Sequence, residues 1–169
     1  MAKFLKIGTN GVPVHESAVA TSAGAGDAAK VPELNGSGKL DITFMPSGFG
    51  SDTKTMTAGE AISAGNVVYV NGSGSVLKAD ANAIAKAAVG FVLAGIANAA
   101  SGTVYLGSGI ITGLSGLTPG GRYFLSNTAT GGFDLYANLT FAAGDIIQQV
   151  GYALSATELY FEPESPVEF

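Results

Sequence analysis

Few residues of this sequence have types that could carry catalysis, and their surroundings match no catalytic motif. His15 is the single histidine, and it lies in an irregular stretch that would have to fold back on a distant serine to build a Ser-His-acid triad. The stretch Gly113-Leu114-Ser115-Gly116 begins like the G-x-S-x-G nucleophile elbow, but Leu117 stands where the last glycine is required. The sequence therefore predicts no nucleophilic hydrolase.

Two glycine-rich stretches resemble nucleotide-binding loops without meeting their requirements. For Gly36-Ser37-Gly38-Lys39, the Walker pattern needs glycine and a hydroxyl residue at the positions held by Glu33 and Leu40. Gly107-Ser108-Gly109 lacks the third glycine of the dinucleotide fingerprint, and no strand-helix-strand pattern surrounds it. Both stretches are typical of turns, so no cofactor is expected.

Acidic residues offer the remaining chemistry, as paired carboxylates or as metal ligands. Asp134, Asp145 and Glu158 could form a glycosidase pair, but isolated acids on β domains usually face solvent, and the sequence has no Trp for a sugar-binding groove. No D-x-D-x-D-G calcium loop occurs, and the absence of cysteine removes thiolate metal sites. We therefore expect no metal and no enzymatic activity.

The composition predicts a folded chain whose surface is covered by partners. Charged residues make up 12% of the 169 residues, against a usual level of about 25%, and the mean hydropathy is +0.35. The net charge of −5 makes a nucleic-acid partner unexpected. The most apolar run, residues 83–100, contains Lys86 and Asn98 and two glycines, so no membrane span is expected. Self-association or assembly with other proteins is expected instead.

Residues 1–55 are predicted to form an extended arm. They show no sustained period of 2 or 3.6, and Val12-Pro13, Val31-Pro32 and Met45-Pro46 disfavour helix before each proline. An Asn10-Gly11 turn and one short helix between residues 17 and 29 are expected. Ordering about 20 such residues costs on the order of 30 kcal/mol in conformational entropy. Apolar burial would have to cover about 1,200 Å² to offset that cost. We expect the arm to lie along a large partner surface; the alternative is a flexible linker.

Residues 56–169 are predicted to form a compact β-barrel or β-sandwich domain. Short β-like runs alternate there with turn signals such as Asn71-Gly72 and Pro119-Gly120-Gly121. The alanine-rich residues 79–88 are expected to form a loop or a single helical turn. The predicted strands are residues 66–70, 75–78, 89–97, 103–106, 109–112, 122–126, 132–136, 146–154 and 158–162.

Two short patterns recur within this domain. Ala64-Gly65-Asn66-Val67-Val68 is similar to Ala143-Gly144-Asp145-Ile146-Ile147, and Val89-Gly90-Phe91-Val92-Leu93 is similar to Val150-Gly151-Tyr152-Ala153-Leu154. Because the gaps between the paired patterns differ, they do not indicate a regular solenoid. They indicate two similarly built corners, each with a tight turn that leads into a core strand.

Two segments carry a family resemblance. Residues 29–46 (AKVPELNGSGKLDITFMP) resemble the "KIPxLDxxGKLDxSxMP" segment of phage head decoration and fibre proteins. Residues 116–126 (GLTPGGRYFLS) and 150–163 (VGYALSATELYFEP) are similar to the "GLTPGxxYYLS … VGxALSATExxFxP" ending of the same virion proteins. The chain is thus similar to tailed-bacteriophage capsid decoration proteins, also called cement or head-fibre proteins.

This resemblance implies a location on the outer surface of the phage head. The C-terminal domain would form a homotrimer there, while the arms bind neighbouring subunits of the major capsid protein and stabilise the shell. The residues expected to contact the capsid are the apolar side chains of the arm: Phe4, Leu5, Ile7, Val31, Pro32, Leu34, Leu40, Ile42, Phe44 and Met45.

Two other functions stay open at this point. The chain could be the attachment or receptor-binding part of a head fibre or tail fibre, with the arm as its anchor. It could also be a small glycan-binding or glycan-hydrolysing module.

Overall fold

A computed structural model of the chain describes residues 3–45 and 52–169. It is mainly β, with 36% of residues in strands and 8% in helices, and it contains a curled five-stranded half-barrel sheet. The predicted fold class is therefore confirmed. The chain divides into two compact units, Met1–Phe49 and Gly50–Phe169, which are described separately.

The N-terminal unit begins with a β-hairpin. Strands β1 (Lys3–Ile7) and β2 (Pro13–Ser17) pair antiparallel, from Lys3 opposite Ser17 to Ile7 opposite Pro13. The expected turn at Asn10-Gly11 lies between them, with Gly11 at φ +76°. The sequence pattern did not predict these strands because most of their residues are exposed, so no apolar and polar alternation marks them.

The remainder of the N-terminal unit consists of turns and short 3-10 helices. The helix Gly24–Asp27 falls within the interval predicted for one, and a second helix spans Ile42–Phe44. Asp27 lies between two donors, and its pKa is lowered, first by the hydrogen bond from the Lys30 ammonium and then by the one from the Ala23 amide. These local contacts order the backbone without building a core.

The C-terminal unit contains twelve further strands and two single-turn 3-10 helices, Ile84–Lys86 and Tyr136–Asn138. Each predicted strand coincides with an observed one to within a few residues, except that 146–154 divides into two and only the start of 89–97 is a strand. The strands are β3 (Thr53–Thr57), β4 (Val67–Val70), β5 (Val76–Lys78), β6 (Gly90–Phe91), β7 (Ser101–Leu106), β8 (Gly109–Ile111), β9 (Arg122–Leu125), β10 (Phe133–Leu135), β11 (Ile146–Ile147), β12 (Gln149–Ala153), β13 (Leu159–Phe161) and β14 (Val167–Glu168).

Two five-stranded sheets of identical connectivity make up this unit. The first has the order β3-β7-β6-β4-β5, and the second has the order β8-β13-β12-β9-β10. All neighbouring strands in both sheets are antiparallel. Taken in chain order, the five strands of the first sheet, β3, β4, β5, β6 and β7, correspond to β8, β9, β10, β12 and β13 of the second sheet. We call these sets the first repeat and the second repeat. β11 and β14 form a separate antiparallel pair.

A glycine in the central strand occupies the same position in both repeats. Gly90 on β6 pairs with Leu106 and Val68, and Gly151 on β12 pairs with Phe161 and Tyr123. A Cβ atom at Gly90 would collide with the carbonyl oxygen of Tyr105, and a Cβ atom at Gly151 would collide with the carbonyl oxygen of Tyr160. The recurring Val-Gly-aromatic pattern therefore marks equivalent places where backbones approach too closely for any side chain.

The second recurring pattern marks turns of the same construction. Gly65 has φ +82° and Gly144 has φ +93°. The next residue, Asn66 or Asp145, accepts a hydrogen bond through its side chain from the amide three residues earlier, at 2.9 Å and 2.8 Å. Each turn leads into a buried residue, Val67 on β4 and Ile146 on β11. The two corners are alike, although β4 and β11 do not correspond in the repeats.

Two apolar clusters stabilise the C-terminal unit. One lies within the first repeat and includes Met56, Val68, Val76 and Val104. Successive side chains of a strand point to opposite faces of the sheet. The other cluster therefore contains residues from the opposite face of the first repeat, among them Val67 and Phe91, and these pack against the interior of the second repeat. The second-repeat residues of that cluster are Ile111, Tyr123, Leu125, Val150, Ala153, Leu159 and Phe161, with Ile146 of β11. The second repeat is thus packed against the outside of the first.

None of the helices in residues 3–45 and 52–169 has the length and apolar character that crossing a lipid bilayer requires.

We predict that Gly151→Ala destabilises the protein by about 3 kcal/mol or more, because the new Cβ would collide with a carbonyl at a φ of +153°, outside the range that L side chains favour. Urea denaturation of the full chain measures the loss. The matched control is Gly72→Ala, at a glycine with open space around it and no positive φ. Equal stability of the two variants would contradict the close approach.

Candidate docking surfaces

Of the residues considered for catalysis, the acids make local hydrogen bonds in the described part of the chain. His15 is exposed on β2, where it lies opposite Leu5. Asp134 accepts hydrogen bonds from the Leu135 amide and from Asn138. Glu158 directly precedes β13, and its carbonyl accepts hydrogen bonds from the amides of Leu154 and Ser155. Among the described residues, no group of three or more His, Cys, Asp or Glu side chains could hold a metal ion.

Asp145 closes the turn before β11. Its carboxylate accepts hydrogen bonds from the Ala142 amide and the Asn127 side chain, both at 2.8 Å. These bonds lower the pKa of Asp145, the backbone bond from Ala142 contributing most. A carboxylate held in its charged form accepts hydrogen bonds well and is a poor proton donor, so its role here is to stabilise the turn.

The glycine-rich stretches form turns, as predicted. In the first, Asn35 accepts hydrogen bonds through its side chain from the amides of Ser37 and Lys39, and Gly38 has φ +71°. In the second, Gly107 has φ +73° and lies between β7 and β8, which places this turn at the junction of the two repeats.

Phe4, Leu5 and Ile7, expected to contact the capsid, lie on both faces of the hairpin. Leu5 and Ile7 share one face, and they are 66% and 70% exposed. Phe4 lies on the opposite face and is half-buried, near the ion pair between Lys6 and Glu16. The hairpin therefore presents two large aliphatic side chains on a single exposed face.

The other expected contact residues follow the hairpin, and most of them are exposed as well. The exposed ones are Val31, Pro32, Leu34 and Leu40, and Leu34 reaches 62% exposure. Phe44 and Met45 are half-buried, and the side chain of Ile42 lies outside the described residues.

The backbone brings part of this second set together. Leu34 and Leu40 flank the turn closed by the hydrogen bond of 2.8 Å from the Asn35 amide to the Lys39 carbonyl. Val31 and Pro32 lie beside Val19, whose amide donates to the Val31 carbonyl. Apolar side chains on both sides of one turn form a second exposed apolar surface on this unit.

The sequence pattern did not reveal a third surface, on the outward side of the second repeat. One row of paired residues crosses four strands there: Arg122 on β9, Tyr152 on β12, Tyr160 on β13 and Ile110 on β8. Tyr152 and Tyr160 lie with ring centroids 5.3 Å apart, and Tyr152 and Ile110 are 40% and 46% exposed. We call this row, together with Leu154, Glu158 and Glu162 at the ends of β12 and β13, the tyrosine face.

Comparison with known proteins identifies no family. The sequence matches no protein-family model and no curated protein.

We predict that Asp145 makes the folding stability depend on pH in the acid range. Its pKa is lowered in the folded state, so its contribution to stability is fully present above the unfolded value of about 3.8 and is lost as pH falls through the lower folded value. Melting temperatures of Asp145→Asn should be lower than those of the wild type at pH 7, and the two should converge towards pH 2. Asp52→Asn, at an exposed acid, is the control and should follow the wild type. A constant difference across this pH range would contradict the assignment.

Proposed function

We propose that this chain is a bacteriophage capsid decoration protein. Its N-terminal unit binds the outer surface of the major capsid shell, and its C-terminal unit forms a knob, in three copies, above that surface. The observation that carries the proposal is the mismatch in the N-terminal unit between many apolar side chains and almost no burial.

Ala18 is the single buried residue among those of residues 3–45 whose burial the structure describes. Meanwhile Leu5, Ile7, Leu34 and Leu40 are exposed. Fixing the backbone costs roughly 1–2 kcal/mol per residue, and one buried alanine offsets very little of that. A partner that covers these aliphatic side chains would supply about 1.5–3 kcal/mol for each one that becomes fully buried.

The location of the family-like segments supports the same function. Residues 29–46, which resemble a segment found in phage head decoration and fibre proteins, include the exposed Val31, Leu34 and Leu40. Residues 116–126 and 150–163 include β9, β13 and all of β12 except its first residue, and these are the three inner strands of the second repeat. The resemblance thus falls on the proposed contact segment and on the framework of the proposed knob.

The mechanism is stabilisation by linkage. An arm that gains apolar contact only on the assembled shell lowers the free energy of that shell relative to its separate subunits. Three arms joined through one knob would bind neighbouring capsid subunits at a high effective concentration, so dissociation of a single arm would not release the protein.

We predict that Ile7→Asp and Leu34→Asp each weaken binding to purified phage heads lacking this protein by about 10- to 100-fold, the cost of losing one buried aliphatic side chain. Co-sedimentation with heads measures the change. Ile84→Asp, at a residue 49% exposed in the C-terminal unit, should bind as the wild type does. Equal affinity of all three variants would contradict docking through the N-terminal unit.

Removal of residues 1–50 tests whether the N-terminal unit carries head binding and the C-terminal unit carries oligomer formation. We expect a folded oligomer, checked by circular dichroism and light scattering, that no longer binds heads. Retained binding at unchanged affinity would overturn the assignment of capsid contact to the arm, and immunogold labelling of the tail instead of the shell would overturn the location.

A further inference from the structure

The two repeats share their connectivity but differ in what covers their outward faces. In the first repeat, the outward row across the sheet is Val67, Phe91 and Tyr105. Val67 and Phe91 are buried, and the Phe91 ring packs edge-on against Phe161 of the second repeat with centroids 5.3 Å apart. This row is covered because the second repeat is packed on it.

The tyrosine face is the same row in the second repeat. The paired glycines set the correspondence: Gly90 lies opposite Leu106 and Gly151 lies opposite Phe161, so Tyr152 is the counterpart of Phe91. By the same register, Tyr160 is the counterpart of Tyr105 and Arg122 is the counterpart of Val67. Both repeats thus have a pair of neighbouring aromatic rings in this row. In the second repeat, no residue of the described part of the chain covers the row as the second repeat covers it in the first.

The charges of the tyrosine face divide into two halves. Arg122, the one arginine of the chain, is exposed on β9 and forms no ion pair with any residue in 3–45 or 52–169. Glu158 and Glu162 directly precede and follow β13, two residues from Tyr160 on either side, so along the extended chain they point to the same side as its ring. β12 lies between β9 and β13, so these two strands are about 10 Å apart, and the base and the acids lie on opposite sides of Tyr152.

We propose that the tyrosine face is the surface through which copies of this chain associate. The Arg122 half of one copy meets the Glu158 and Glu162 half of the next, and the tyrosines with Ile110 and Leu154 form the apolar centre. A contact between two different halves of one face is heterologous, and it closes into a three-copy ring when each copy is rotated by about 120° relative to the next. The inference rests on the proposed function for the number of copies and deepens it by naming the contacts between them; these contacts do not require that the arm binds a shell.

A second copy fits this face better than an unrelated partner. The surface that covers the equivalent row of the first repeat is itself buried in the folded chain, so the match has to come from the tyrosine face of the second copy. The face also carries both members of the charge pair it would need, with the base on one side of the apolar centre and the acids on the other.

Sedimentation velocity of the full-length wild type and variants, without phage heads, tests the proposal. The wild type should form an oligomer, and Tyr152→Glu should raise its dissociation constant at least about 30-fold, as expected for a central aromatic contact. Ile84→Glu is the matched control, at a comparably exposed apolar residue outside this sheet, and should associate as the wild type does. A monomeric wild type, or a folded Tyr152→Glu variant with wild-type association, would overturn the proposal.

Charge reversal supplies an independent readout that preserves the apolar centre. Arg122→Glu should weaken association, and adding Glu158→Arg and Glu162→Arg to the same chain should restore it by exchanging the two halves. Association of the wild type should also weaken as salt is raised. An Arg122→Glu variant that associates as tightly as the wild type, or no rescue in the triple variant, would overturn the pairing of the two halves. Because heads are absent from the assay, failure here is distinct from failure of capsid binding.

Discussion

Two close approaches between neighbouring strands set the arrangement of the C-terminal unit. At Gly90 and Gly151 a carbonyl oxygen of the adjacent strand occupies the space that a side chain would need. Because side chains alternate between the faces of a strand, fixing the position of one glycine decides which of its neighbours point inward. The aromatic residue that follows each glycine is thereby directed outward, and the packing of one repeat on the other follows from that orientation.

The turn chemistry made most of the β structure predictable, and its failures have physical causes. The strand β3 was missed because only Met56 of its five residues is buried, so hydrophobicity gives no alternation over that segment. The sequence patterns indicate the recurrence at Gly90 and Gly151, but they pair the Gly65 turn with the Gly144 turn. The counterpart of the Gly65 turn in the second repeat is the turn at Gly120, with φ +75°, where Gly121 stands in the position that Asn66 and Asp145 hold in the other two turns.

The exposed surfaces of the arm and the tyrosine face differ in how clearly the sequence reveals them. The apolar residues of the arm stand out because prolines and turn signals exclude a core around them. The tyrosine face does not stand out, because Tyr152 and Tyr160 occur in strands that read like those of Phe91 and Tyr105. Whether such a row is buried depends on a neighbour distant in sequence, and local periodicity carries no information about that neighbour.

The order of the repeats along the chain has a consequence for synthesis on the ribosome. The first repeat emerges complete at Leu106, but the ring that covers its outward Phe91 belongs to Phe161, near the end of the chain. Until about fifty more residues have followed, that apolar row faces water and can pair with the wrong partner, including the equivalent part of a nascent neighbour. The two-residue connection between β7 and β8 keeps the correct partner adjacent, which favours packing within one chain over exchange between chains.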